Sequence, residues 1–244
     1  MLSLAKTKMK KQLISVFSAT ILLGFVANLQ PNSYFSIFAS AQAQTDQGTP
    51  HLNPNWLIEK GVIQVNSGQL EDALVTFQQA LAVSRADRNN QETALTNIGF
   101  VYHKLGQEQR ALAYYQQAYE LFQNPDLLIT IGSTYQQLKE RMKSLAYYRK
   151  ALVIFRQSGN TERETATLIT IGDLYFQLGE QERTLQVYQE VLEIYQRKQN
   201  CQGEDAILWK MARVYQTMGQ DNIAEGLQRR VMRQMRDKNR RCEV

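Results

Sequence analysis

The feature that most limits what this chain can fold into is a small residue returning at near-constant intervals. It stands at Gly61, Gly99, Gly132, Gly172 and Ala212, spaced 38, 33, 40 and 40 residues apart. Four residues before each lies a leucine, Leu57, Leu95, Leu128, Leu168 and Leu208, and three after come Gln64, Tyr102, Tyr135, Tyr175 and Tyr215. Spacings of three and four place these residues on one face of an amphipathic helix. A turn position follows, Gly68, Gly106, Lys139, Gly179 and Gly219, and five residues later a second small series, Ala73, Ala111, Ser144, Thr184 and Ala224. Next come Phe77, Tyr115, Tyr148, Tyr188 and Gln228, then Ala80, Ala118, Ala151, Val191 and Val231. Each period therefore predicts a helix, a tight turn and an antiparallel helix, with small residues at the crossing and rings filling space beside it. One such hairpin cannot bury both of its stripes, so the copies must stack.

This order of small and aromatic residues resembles the tetratricopeptide repeat family, over five copies from about Asn55 to Arg241. The family repeat is about 34 residues long, and three of the four spacings exceed it, as in the longer variety found in kinesin light chains. The resemblance implies an all-α, right-handed superhelical solenoid of about five repeats, near 54–91, 92–124, 125–164, 165–204 and 205–241. It leaves function open, because the family fold is a presentation surface used by many unrelated proteins.

The amino end stands apart. Lys6, Lys8, Lys10 and Lys11 precede an apolar run from Leu13 to Ala27, and Ala39, Ser40, Ala41 and Ala43 close the segment. These are the three regions of a secretory signal peptide, residues 1–43, with the cut placed after Ala43 and a second position after Ala41. The apolar run is shorter than the ~20 residues that span a bilayer, which favours removal. The alternative is an uncleaved anchor at residues 13–27, and a start at Met9 would make a more compact signal. No cysteine follows the run, which argues against a lipid anchor. The expected destination is outside the cytoplasm. Residues 44–54 read as a disordered polar leader.

Export also explains the charge. The whole chain is +5, but residues 1–43 hold four lysines and no acid, leaving 24 basic against 23 acidic residues. A pI near 9.1 is therefore poor support for nucleic-acid binding, which needs a basic face on the folded part.

Asn89 with Glu92, and Thr161 with Glu164, have the spacing of capping boxes, and Asn124-Pro125 supplies a cap with proline at the first helical position. The last helix is expected from about Asp221 to Lys238. It carries a basic stripe, Arg229, Arg233, Arg236 and Arg240, which reads as a solvated cap or as attachment to an acidic partner or an anionic membrane. Cys201 and Cys242 flank the last hairpin, where an antiparallel arrangement would bring them together as a disulfide in an oxidising compartment. Two free or intermolecular thiols are the alternative.

Catalytic chemistry is expected to be absent. The two histidines, His51 and His103, lack paired-metal spacing, and there is no Cys-x-x-Cys, glycine-rich phosphate loop or Gly-x-Ser-x-Gly. No metal or cofactor is implied. In the family, the first helices of successive repeats line a concave groove that holds a peptide. Projected onto this chain, that groove takes Ile58, Thr96, Ile129, Ile169 and Trp209, then Val62, Phe100, Ser133, Asp173 and Arg213, then His103, Gln136, Phe176 and Gln216. Phe100, Phe176 and Trp209 are its candidate anchors, with core packing against a neighbouring helix as the competing role. Relatives that grip a terminal carboxylate use lysine, asparagine and arginine there; here only Asn97 fits, while Ile58, Val62, Ile129 and Ser133 do not. The expected function is an exported scaffold binding a protein or peptide, with a membrane-tethered adaptor and a self-associating solenoid as alternatives.

Overall fold

The computed structural model describes residues 53–236. The segment read as a signal lies outside the described residues, as does the leader up to Leu52. Ten helices and no strand occur among the described residues: α1 (Pro54–Asn66), α2 (Leu70–Val83), α3 (Arg88–Lys104), α4 (Glu108–Phe122), α5 (Pro125–Gln137), α6 (Arg141–Gln157), α7 (Thr161–Gln177), α8 (Gln181–Arg197), α9 (Cys201–Thr217) and α10 (Asp221–Arg236). Odd-numbered helices pack on the even-numbered helix that follows, and each even-numbered helix packs on the first helix of the next hairpin. The result is an all-α solenoid.

Turn chemistry alternates along the chain. Within a hairpin the turn residue is left-handed: Gly106 has φ 70°, with its N–H donating to His103 O at 3.0 Å and Gln107 N–H to Tyr102 O at 2.9 Å. That pairing satisfies carbonyls at the helix end and reverses the chain. The helices that follow these turns, α4, α6 and α8, start without a side-chain cap. Between hairpins the caps return. Asp87 accepts from Asn90 N, Asn124 from Asp126 N, Asn160 from Arg163 N and Asn200 from Gly203 N.

Two of the expected capping boxes are thereby corrected. Asp87 rather than Asn89 opens α3, because its carboxylate reaches both the backbone N and the Nδ2 of Asn90, at 3.2 and 2.7 Å. Glu92 instead accepts from Asn124 Nδ2 of the next hairpin at 2.7 Å. Likewise Asn160 caps α7, Thr161 is its first residue, and Glu164 is paired with Arg156 Nε at 3.1 Å. The Asn124-Pro125 start is as expected, and the connection there is the shortest, just Gln123 and Asn124. The helix α9 begins at Cys201, directly after its cap Asn200.

The core runs as a line of interfaces. Leu57, Leu95, Leu128, Leu168 and Leu208 are each at most 2% exposed, and the second small series from Ala73 to Ala224 is at most 1% exposed. Clusters hand over from hairpin to hairpin, with Tyr102, Tyr119 and Ile129 each bridging two of them and Leu81 three. Near-neighbour packing of this kind makes stability a sum over repeats and their junctions.

Candidate partner-binding surface

The residues projected onto a groove come from α1, α3, α5, α7 and α9, and the structure distributes them unevenly. Val62, Phe100, Trp209, Arg213 and Gln216 are exposed, whereas Ile58, Thr96, Asn97, His103, Ile129, Ser133, Gln136, Ile169, Asp173 and Phe176 are half-buried. Ile129, Ile169 and Phe176 pack against core clusters, so these three serve the solenoid as well as its surface. Phe100 and Trp209 are 38% and 39% exposed, large apolar side chains that the core leaves uncovered. Lys104 Nζ sits 5.3 Å from the Phe100 ring centroid.

Polar geometry concentrates between α7 and α9. Lys210 Nζ donates to both carboxylate oxygens of Asp173, at 2.6 and 2.9 Å, and Tyr188 Oη donates to Asp173 Oδ1 at 2.5 Å. The Arg213 guanidinium lies 5.1 Å from the centroid of Phe176, a cation–π contact across the same pair of helices. Burial, and secondarily the hydrogen bond to Asp173, raises the Tyr188 phenol well above its ordinary range. Asp173, Phe176 and Arg213 are thus brought together as a two-signed patch with an aromatic floor. Sequence reasoning missed Lys210 and Tyr188. Lys210 lies two residues before the small Ala212, where other copies carry Glu59, Asn97, Thr130 and Thr170, so its charge has no periodic signal.

His103 is turned to Glu108, with Nδ1 2.9 Å from both carboxylate oxygens. That contact ties α3 to the start of α4. Ser133 Oγ donates to Thr130 O within its own helix at 2.8 Å. Among the described residues no group of three or more His, Cys, Asp or Glu side chains is placed to hold a metal ion. No described helix is long and apolar enough to cross a membrane. On α10, Arg229, Arg233 and Arg236 are exposed, with Arg229 paired to Glu225 at 3.1 Å; Arg240 lies outside the described residues. Cys201 opens α9, and Cys242 also lies outside them.

Stacked helical hairpins with uncovered first-helix side chains define the class: an α-helical repeat scaffold whose surface serves protein–protein interaction. The tetratricopeptide repeat model matches residues 54–124 and 125–197, and the chain belongs to that family. Solved structures agree. A putative kinesin light chain of Podosopora anserina with nearly identical TPR-like repeats aligns with TM-score 0.62 at 16% identity, over 78% of this chain and 99% of that one. BtubC from P. vanneervenii aligns with TM-score 0.61 at 16% identity, over 75% and 80%. A tetratricopeptide repeat protein from Parabacteroides merdae aligns with TM-score 0.51 at 24% identity, over 73% and 78%. At these identities the likeness is one of fold. No curated protein matches the chain in sequence.

Proposed function

We propose that this chain is an exported, non-enzymatic scaffold that holds a protein or peptide segment against its first-helix face and so helps assemble a complex outside the cytoplasm. The observation that carries this reading is the pair of uncovered rings, Phe100 and Trp209, on the same series of helices as the Asp173, Lys210, Phe176 and Arg213 patch. Aromatic anchors beside fixed charges suit a segment with apolar and hydrogen-bonding side chains, and rings are over-represented among residues that dominate binding energy. Export is supported by the sequence of residues 1–43: a lysine cluster, an apolar run and a small-residue closure.

The test is affinity recovery from the exported fraction with wild type and with Phe100, Phe176 and Trp209 replaced by alanine. Loss of a partner with retained helicity is expected; equal recovery removes the groove. Amino-terminal sequencing of the mature protein places it either free after cleavage near Ala43 or tethered through residues 13–27. The exposed arginines of α10 supply a second contact, to an acidic partner or an anionic membrane. Neutralising Arg229, Arg233, Arg236 and Arg240 is expected to weaken that contact. Unchanged membrane association and partner recovery would leave them as a solvated cap.

A further inference from the structure

Every inner junction between hairpins is built from the same positions of the repeat. On a first helix, the residue just before the small one packs on the preceding hairpin: Ile98 clusters with Phe77, Ile131 with Tyr115, Ile171 with Tyr148 and Met211 with Tyr188. The residues five before and two after the small one share that face. There Ala94, Leu127, Thr167 and Ile207, and Val101, Thr134, Leu174 and Val214, are at most 3% exposed. On a second helix the junction positions lie twenty and twenty-three residues after the small one. Leu152 and Leu192 hold the former and are buried; Tyr195 holds the latter, and a Cβ on Gly203 of the next hairpin would lie 2.6 Å from its Cδ1.

The two ends of the stack keep these apolar positions uncovered. On α1 they are Trp56 and Ile63, 51% and 65% exposed, and on α10 they are Met232 and Met235, each 47% exposed. A terminal repeat that stays in water needs a polar outer face, and these four side chains are the opposite. The position between them departs from the repeat at both ends. Lys60 stands where Ile98, Ile131, Ile171 and Met211 stand, and Gln228 where Phe77, Tyr115, Tyr148 and Tyr188 do. Those two series meet at every inner junction. Joined end to end, the two departures face each other, an ammonium donor against an amide oxygen acceptor. Charge fits as well. The first hairpin exposes Glu59, Glu71 and Asp72 against Lys60, while α10 exposes Arg229, Arg230, Arg233 and Arg236 against Asp221 and Glu225. Opposite signs favour joining α10 to α1 over joining α10 to another α10.

We propose that the open face of α10 docks on the open face of α1 of a second copy of this chain, repeating the junction that joins α2 to α3 and α8 to α9. The contact is heterologous: it uses a different patch on each copy and leaves both outer ends free, so copies add in an open row. Neither face includes Phe100, Phe176 or Trp209, so the inference goes beyond the function proposed for the groove and stands or falls without it. For the α10 arginines it names the acidic partner, and the variants that test it leave every arginine in place.

The experiment is sedimentation and light scattering of the purified chain at concentrations up to about 0.1 mM. Wild type is expected to form dimers and longer species. Trp56→Ser with Ile63→Ser blocks one end, and Met232→Ser with Met235→Ser blocks the other. Each variant alone is expected to associate at least about thirtyfold more weakly, the factor for losing one dominant interface side chain. Mixed in equal amounts, the two variants are expected to regain one junction and to stop at the dimer. Wild type that stays monomeric overturns the proposal, as does a mixture that stays monomeric. Dimers of the first variant alone would join α10 to α10, dimers of the second alone would join α1 to α1, and either overturns it. Undiminished association of both variants would come from elsewhere in the chain, the apolar run at residues 13–27 included, and overturns it too. A monomeric wild type whose binding to anionic vesicles falls with Met232→Ser and Met235→Ser would assign that face to a lipid surface instead. If a double variant loses helicity by circular dichroism, Ile63→Ser alone or Met235→Ser alone takes its place. Alanine at Phe100 and Trp209 is expected to leave the association unchanged, which separates its outcome from that of the groove.

Discussion

A Cβ on Gly99 would lie 2.7 Å from Cε1 of Tyr115. The helices α3 and α4 approach as closely as they do because that atom is missing, and the ring occupies the space. Gly61 stands in the same relation to Phe77, at 2.5 Å. In the last hairpin Gln228 replaces the ring, and the small residue is Ala212. Ring and glycine therefore come as a pair.

Gly99→Ala is accordingly expected to destabilise the protein by about 1–3 kcal/mol, the usual cost of forcing a methyl into a packed interior. Gly226→Ala should act in the opposite sense. A Cβ at Gly226 meets nothing within 4 Å, so the gain in helix propensity of about 0.5–1 kcal/mol comes without a clash. Urea denaturation of the two variants checks both; a Gly99→Ala protein as stable as wild type would show that the ring contact does not set the crossing.

Lys139 occupies with φ 61° the turn position that is glycine in the other four hairpins. A side chain there is strained by its own carbonyl, while glycine accepts the conformation at the cost of a freer unfolded chain. Lys139→Gly is expected to raise stability by about 0.5–1 kcal/mol, read from the denaturation midpoint. A fall in the midpoint would mean that the Lys139 side chain makes a contact worth more than the strain.

Burial, and secondarily the Glu108 carboxylate, pushes the Tyr115 phenol from 10.0 up to about 12. The folded state thus keeps a proton that the unfolded chain releases first. The stability associated with neutral Tyr115 is fully present below about pH 10 and is lost as pH rises through about 12. Tyr148 and Tyr188 are shifted in the same direction. Denaturation midpoints measured from pH 9 upward, with approximate half-unit steps, should fall less steeply for Tyr115→Phe than for wild type. Equal slopes would mean that the phenol ionises alike in both states.

A bridge between Cys201 and Cys242 would close a loop of about 40 residues and contribute on the order of 3–4 kcal/mol in the chain-entropy model. Thiol titration of unfolded, unreduced monomer is expected to find no free thiol, with two appearing on reduction. Two thiols before reduction would exclude the bridge. Cys201→Ser is expected to lower the midpoint of the oxidised protein and to leave that of the reduced protein nearly unchanged.

The sequence by itself determined the architecture. Five coincident series of leucine, small residue, ring, turn and second small residue leave few ways to bury the apolar stripes other than stacked antiparallel hairpins, because each series repeats the same local geometry. Helix ends were less legible. Asp87 and Asn160 hold the caps expected at Asn89 and Thr161, and Glu92 and Glu164 contact Asn124 and Arg156 instead; a contact more than a few residues away leaves no mark on capping spacing. Only the tertiary structure decided which side chains form surfaces. Lys210 reaches Asp173 across 37 residues, and Arg149 bonds to Tyr175 of the next hairpin where Gln116 bonds to Tyr135. Periodicity reports what the copies share, since shared packing demands shared residues. A binding surface is built where one copy departs from the others, and the consequence of a departure depends on what the neighbouring helix places opposite it.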